Sequence, residues 1–426
     1  MDYNQWSEKR GLIKSDQALA QKFQIGEERM DFTLSEEQLE FKQELEAFFA
    51  REMAEAPAVY LGNTLEATFG PDAGWEFFKR MKRKYAETGY HITAWPKEYG
   101  GREATIIEQL IFEEVAGYYG APSDPFGIGM FAPALLLYGG EDQKKRILPA
   151  IASGEWQYCQ GWSEPNSGSD LASLKTTAVR DGDCYVINGQ KIWTTGAHRA
   201  DHIFLLARTE RESRRSASLS VFNVDMTLPG VEVRPIHYMN GIHLYNEIFF
   251  TDVRVPEYER IGQEGGGWEQ TRATMNFERS GVWAFASVRR DLERLIEYVK
   301  TTRRNGRLLA DDPITRQKLA RLWIEMETGA ALAYRVGWEQ EKGNLRFSAA
   351  AASEAKVMGT GLIQRLANLA TEFMGPYGQV EASKWAPLGG SMIENYQLIM
   401  GFNIAAGSTE IQKNIIAWVG LGLPRA

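Results

Sequence analysis

The chain has 426 residues, more than a single hydrophobic core grows around, so two or three sub-domains are expected. Lys and Arg number 48 against 56 Asp and Glu, a formal net charge of −8, which leaves no basic footprint for nucleic acid or an anionic membrane and favours small-molecule chemistry. The two cysteines, Cys159 and Cys184, and an N-terminus without a basic stretch leading into an apolar run, read as cytoplasmic. The most apolar stretches, 131–138 and 415–423, fall well short of the roughly 18 residues that would span a bilayer.

Residues 1–30 are polar, with weak periodicity, and read as an extension. Ser35 and Gln38 form a capping-box pattern ahead of Phe41, Leu45 and Phe48 at helical spacing, so a helix is predicted from about Leu34 and a helical domain over 31–155. The stretch Pro96-Lys97-Glu98-Tyr99-Gly100-Gly101, then Gly139-Gly140 and Pro149, punctuate that domain. Over 156–262 the period becomes strand-like, with Tyr185-Val186-Ile187, Ser220-Val221-Phe222-Asn223-Val224 and Glu247-Ile248-Phe249-Phe250 as short β-rich runs between turns. Asp181-Gly182 and Asn188-Gly189 are hairpin signals within it. The triplet Gly265-Gly266-Gly267 reads as a flexible joint into 263–426, where amphipathic stretches at 268–300, 314–342, 348–374 and 409–419 suit a bundle. The predicted class is multi-domain α+β: an N-terminal all-α domain, a middle antiparallel β domain and a C-terminal four-helix bundle.

Ligand chemistry concentrates in Trp162-Ser163-Glu164-Pro165-Asn166-Ser167-Gly168-Ser169-Asp170, where turn-forming residues bring free N–H groups, short hydroxyls and close backbone approach to one place. The nearby Ile192-Trp193-Thr194-Thr195 follows the two hairpin signals, which puts a flat aromatic within reach of that turn on one small sheet. His198 and His202 are four apart, but the segment leads into a strand and lacks a third ligand, so no metal is expected. No Gly-x-Ser-x-Gly elbow, P-loop or catalytic cysteine frame stands out.

These two segments resemble the flavin-binding segments of the acyl-CoA dehydrogenase family. So do Trp95 to Gly101, Thr251-Asp252-Val253-Arg254-Val255-Pro256 and Gly407-Ser408-Thr409-Glu410-Ile411-Gln412-Lys413-Asn414, in the family's order and spacing from Met30 to Ala426. The resemblance implies FAD as cofactor, with Gln160, Trp162, Ser163, Gly168, Ser169, Trp193, Thr195, Gly375, Ser408 and Glu410 at the flavin. It places Ser169 and Asp170 near the CoA moiety. The arginine that grips a neighbouring subunit's flavin pyrophosphate has no clear counterpart in Thr302-Arg303-Arg304-Asn305-Gly306; Arg303 and Arg304 are the two that could replace it. Glu372 stands where the family usually has glutamine.

The implied reaction takes a proton from the carbon beside a thioester carbonyl and a hydride from the next carbon, leaving a trans double bond. A carboxylate serves as base when desolvation raises its proton affinity. The family carries that glutamate at either of two positions. The first, ahead of the Gly-Ser pair, is Ala406 here, which cannot take a proton; the second, in a Glu-Arg pair on the first long helix of the C-terminal domain as in isovaleryl and long-chain types, is Glu278-Arg279. By resemblance Glu278 is the base, Arg279 orients base or substrate, and the Ala406 N–H helps hold the thioester oxygen. An electron-transferring flavoprotein is the implied acceptor and a homodimer or homotetramer the implied assembly. An oxygen-using acyl-CoA oxidase or flavin monooxygenase of the same fold is one alternative. A subunit of a heteromeric dehydrogenase is another, since Asn240 to Phe250 resembles members acting on steroid side chains.

Overall fold

A computed structural model describes residues 33–61, 64–209, 216–278, 281–343, 345–381 and 383–425, without the side chains of 61, 276–278 and 345–347. The predicted 1–30 extension lies outside the described residues. Six α-helices come first: α1 (Glu36–Met53), α2 (Thr64–Phe69), α3 (Asp72–Thr88), α4 (Ile106–Tyr119), α5 (Ala132–Tyr138) and α6 (Glu141–Ala152). The apolar stripe of α1 is buried as its spacing predicts, with Leu45, Phe48 and Phe49 at 5% exposure or less. A capping box at Thr105 and Glu108 starts α4, and a left-handed Gly120 stops it. Between α4 and α5 the chain makes a π turn, Gly127–Phe131, a rare geometry often found beside functional sites.

The sheet follows in eight strands: β1 (Tyr158–Gly161), β2 (Thr177–Asp181), β3 (Cys184–Lys191), β4 (His202–Arg208), β5 (Leu219–Asp225), β6 (Val231–His237), β7 (His243–Pro256) and β8 (Arg260–Ile261). Their order is β6-β7-β3-β2-β4-β5-β8, with β1 added beside β4. Most pairs are antiparallel as expected, but β1 and β2 both run parallel to β4, so the sheet is mixed. Asp181-Gly182 does turn a hairpin between β2 and β3. Asn188-Gly189, read as a second hairpin, instead lies inside β3 at a bulge opposite β7. A Cβ on Gly189 would sit 2.4 Å from the Thr176 hydroxyl, so close strand approach, not a turn, demands glycine there.

Gly265-Gly266-Gly267 is not a loose joint. Gly265 has φ +78°, and a Cβ on Gly267 would lie 2.7 Å from the Leu219 carbonyl, so the glycines let α7 (Gly267–Glu278) start hard against β5. The predicted helix over 268–300 is two, α7 and α8 (Val282–Thr301), separated at Gly281, whose φ of +66° no continuous helix accommodates. A hairpin of β9 (Arg303–Arg304) and β10 (Arg307–Leu308) leads into α9 (Pro313–Glu341), α10 (Leu345–Met374), α11 (Ser391–Phe402) and α12 (Thr409–Ile415). The sequence reading missed α11, because its β-branched and aromatic residues and its Gly389-Gly390 leader give no clear helical start. α8, α9 and α10 share a core of Leu292, Leu295, Leu322, Met326, Leu362 and Leu366. No helix among the described residues is long and apolar enough to cross a membrane.

Candidate active site

The two segments singled out from sequence are bonded to each other. Ile192 N–H donates to the Ser163 carbonyl at 3.0 Å, and the Lys191 ammonium donates to the Trp162 carbonyl at 3.0 Å and to Glu164 Oε1 at 2.9 Å. Glu164 also accepts from the N–H groups of Lys175 at 2.6 Å and Thr176 at 2.8 Å. The turn closes on itself through Glu164 N–H to Ser167 O (2.9 Å) and Ser167 N–H to Glu164 O (3.0 Å). Lys191 has no exposed side-chain surface and Glu164 only 9%, so this is a buried ion pair. Burial pulls the Lys191 ammonium down to about 8 against the attraction of Glu164. Burial would lift the Glu164 carboxyl, but Lys191 and the Thr176 and Lys175 donors together bring it below its ordinary value. Both partners are therefore charged at neutral pH. Glu164 falls within the segment singled out from sequence, but Lys191 was not noticed, although Tyr185, Ile187 and Lys191 share the inner face of β3 by alternation.

Around this turn several groups wait for a partner. The Trp162 indole N–H and the Thr194 hydroxyl are buried and meet no hydrogen-bond partner among the described residues. Gly168 opens onto space, with nothing within 4 Å of where a Cβ would be. Trp193 is 57% exposed and holds φ at +61°, a conformation a non-glycine residue keeps only when its surroundings impose it. Buried polar groups of native proteins are almost always satisfied, so the orphaned donor and hydroxyl beside a presented aromatic fit a flat ligand rich in acceptors. Gln160 lies on β1 and Thr195 is half-buried beside Thr194, while Ser169 and Asp170 are exposed at the far side of the turn.

From Trp193 an aromatic wall runs to the C-terminal helices. Trp193 meets Tyr245 edge-on at 5.9 Å and Tyr245 meets Tyr238 at 5.6 Å. The Tyr238 hydroxyl donates to the Gln397 carbonyl at 3.0 Å and accepts from Gly401 N–H at 3.1 Å. This fixes the end of α11, and the loop from Asn403 to Ser408 follows directly. In that loop Ala406 holds φ at +52°, and its carbonyl accepts from Nε2 of the fully buried Gln412 at 2.7 Å. The exposed Ala406 N–H meets no acceptor among the described residues. Ser408 caps α12 by accepting from Ile411 N–H, and bonds from its own N–H and from Ser408 hold the Glu410 carboxyl below the usual range.

Glu278 is the last residue of α7; its side chain, and all of Arg279, lie outside the described residues. The helix itself is well placed, since Trp268 and Met275 pack on the core that holds Met130 and Phe131 of the π turn. Arg303, Arg304, Glu372 and Gly375 form a separate group. Arg303 donates to Gly306 O, Arg304 to Phe373 O, and Glu372 pairs with Lys318, so these charges are committed within their own chain. His198 and His202, four apart in sequence, part company: His198 Nε2 donates to the Phe69 carbonyl at 2.9 Å, while the His202 ring centroid lies 4.2 Å from that of Trp156.

Beside the aromatic wall, Glu66 of α2 is 2% exposed and accepts from Asn240 Nδ2 at 3.0 Å, and its Oε2 meets no partner among the described residues. Burial, reinforced by Glu394 and Glu381 and opposed by Asn240, pushes its carboxyl up to about 7. A carboxyl raised above its unfolded value supports the fold fully while protonated, and that support is lost as pH climbs from about 4.5 to about 7. Glu66→Gln keeps an acceptor for Asn240 and removes the titration. Relative to the parent it should gain about 2–3 kcal/mol between pH 5 and pH 8 in denaturant unfolding, and a pH-independent difference would show that Glu66 is not held neutral.

Comparison with known proteins gives the family. The acyl-CoA dehydrogenase N-terminal domain matches residues 35–155, the middle domain 159–253 and the C-terminal domain 265–421. Acyl-CoA dehydrogenase FadE26 of Mycobacterium tuberculosis is 33% identical over 404 residues, covering 93% of this chain and 99% of that protein. Acyl-CoA dehydrogenase IpdE1 of the same organism is 36% identical over 375 residues, covering 85% and 92%. Among solved structures, the ChsE4-ChsE5 complex of Mycobacterium tuberculosis superposes with a TM-score of 0.82 at 34% identity, covering 93% of this chain and all 100% of that one. The Tcur3481-Tcur3483 steroid ACAD gives 0.83 at 30% identity, with the same coverage of 93% and 100%. The chain belongs to the acyl-CoA dehydrogenase family and is an oxidoreductase of that class.

Proposed function

We propose that this chain is an FAD-dependent enzyme that introduces a trans double bond beside the thioester carbonyl of an acyl-CoA. The observation that carries the reading is the bonded pair of segments 162–170 and 192–195, with its unpartnered indole N–H and Thr194 hydroxyl beside an exposed, left-handed Trp193. Gln160, Trp162, Ser163, Gly168, Ser169, Trp193 and Thr195 would hold the flavin there, with Ser408 and Glu410 on the C-terminal side. When bound, FAD supplies the acceptor for the hydride of the β carbon. Glu278, at the end of α7, removes the α-proton, and Arg279 orients it. The free N–H of Ala406 donates to the thioester oxygen, which acidifies the neighbouring C–H by stabilising charge where it develops. Ser169 and Asp170 lie toward the CoA moiety.

Alanine at both Ala405 and Ala406, each exposed in the loop, leaves room for a branched or ring-bearing acyl chain. The steroid enzyme among the structural relatives supports a bulky substrate of this kind. An electron-transferring flavoprotein is the proposed acceptor, and domain boundaries near 155 and 262 follow the change from helices to sheet and back. Purified protein should carry FAD, and its flavin should bleach faster with 2-methyl, 3-methyl or cyclic acyl-CoA esters than with short straight chains. Colourless protein that takes up no added FAD overturns the cofactor, and a preference for short straight chains overturns the bulky substrate.

A second reading concerns assembly. Arg303 and Arg304, the two candidates for the arginine that by family resemblance grips a neighbour's flavin pyrophosphate, bond carbonyls of their own chain, and one structural relative is named as a complex of two proteins, ChsE4-ChsE5. This favours a heteromer with a different flavin-site partner over the homodimer or homotetramer. Native mass measurement of the protein purified alone and with its partner decides between them.

A further inference from the structure

Asn246 is 0% exposed on β7, with Leu244 and Ile248, also 0% exposed, flanking it on the inner face of the strand. An amide in such a place is costly unless every polar group is paired, and here each one is. Its backbone carbonyl accepts from Thr194 N–H at 3.0 Å, and its Nδ2 donates to the Thr194 carbonyl at 3.0 Å. One residue thus grips both backbone groups of Thr194, which stands between Trp193 and Thr195.

Two histidines fix the direction of that amide. His198 Nε2 lies 2.9 Å from the Phe69 carbonyl, which can only accept, so Nε2 carries the proton and Nδ1 is left to accept from Asn246 Nδ2 at 3.2 Å. His243 Nε2 then donates to Asn246 Oδ1 at 2.7 Å. The two rings stack with centroids 3.8 Å apart. A flipped amide would face the Thr194 carbonyl with its own oxygen and His243 Nε2–H with its own N–H, losing three bonds at once.

Resting on the FAD reading above, we propose that Asn246 is a positioning residue of the flavin site: it holds the Trp193–Thr195 segment in its left-handed, ligand-presenting form, and His198 and His243 set the polarity of its amide. Strained, exposed Trp193 needs such over-determination: the Ile192 N–H bond to the Ser163 carbonyl holds the backbone before it, and Asn246 holds both backbone groups of Thr194 after it.

The test uses the full chain and FAD. Asn246→Leu is close in volume and leaves the Thr194 carbonyl without its donor, so FAD affinity should fall about 10-fold or more. A purely structural role predicts that this loss adds to that of Trp193→Ala, whereas positioning predicts coupling, with Trp193→Ala costing little in the Asn246→Leu background. Should Asn246→Leu fail to fold, His243→Phe keeps the stack and removes only the donor to Oδ1, and the same cycle with Trp193→Ala applies. Unchanged FAD affinity in the Asn246 or His243 variant, or additive losses, overturns the proposal. If the parent binds no FAD the functional reading has failed, and the clamp is read separately: the near-ultraviolet circular dichroism that Trp193→Phe removes from the parent should already be absent in Asn246→Leu, and its persistence there overturns the clamp.

Discussion

Glu278→Gln should keep the fold and bound FAD but lose about 10²- to 10⁴-fold or more in turnover, the contribution expected of a positioned proton acceptor. The change is nearly isosteric, so binding of acyl-CoA should survive and the loss should fall on kcat. Glu278 is singled out by its place at the end of α7, a helix whose Trp268 and Met275 pack on the core of the π turn, and by Ala406 occupying the other position where the family keeps its base. Adding Ala406→Glu to the variant is the sharper measurement. Ala406 already carries a Cβ at φ +52°, so glutamate there adds no further backbone strain, and the exposed loop has room for its side chain. Partial recovery of turnover would put both positions around one carbon. Near-normal turnover of Glu278→Gln alone sinks the assignment, whereas a silent double variant is weaker evidence, because a carboxylate displaced by about 1 Å can lose about 10²-fold.

What could be read from sequence follows the range of the interactions involved. The 162–170 turn and Trp193 were legible because local chemistry announces them: clustered turn residues and short hydroxyls need no partner from elsewhere to be recognised. The order of helical, β and helical regions was legible from periodicity alone. Asn188-Gly189 was misread since its two residues are the commonest hairpin turn, yet here they stay inside β3, where the bulge against β7 falls and Thr176, just ahead of β2, leaves no room for a Cβ on Gly189. The break between α7 and α8 was missed for the opposite reason, a lone glycine being weak punctuation inside a strong helical pattern. Lys191 and Asn246, which bond to Trp162, Glu164 and Thr194 of the two segments, were overlooked although each sits at an inward position of an alternating strand. A polar residue in an apolar register is the signal, but its partner, Glu164 or Thr194, lies 27 or 52 residues away, and only the fold brings them together.

The second large effect is expected at that buried pair. Lys191→Met removes the only cation bonded to Glu164 among the described residues and strips the Trp162 carbonyl of its donor, in a place with almost no water to substitute. Breaking a buried pair from one side typically costs about 3–5 kcal/mol, far more than the pair is worth against an apolar replacement. Glu164 keeps two backbone donors, Lys175 and Thr176 N–H, so the residual penalty should appear as loosening of the 162–176 stretch as well as lower global stability. FAD should dissociate faster, because Ser163 and Ile192 lose the strut that holds their bond. The double variant Lys191→Met/Glu164→Leu removes both charges and should recover most of the stability while leaving the FAD defect, since apolar residues restore packing but not the donors that shape the turn. Denaturant unfolding with and without FAD separates the two quantities. A Lys191→Met protein within about 1 kcal/mol of the parent would mean that the pair is solvated in the working enzyme and that the turn is held by its backbone bonds alone.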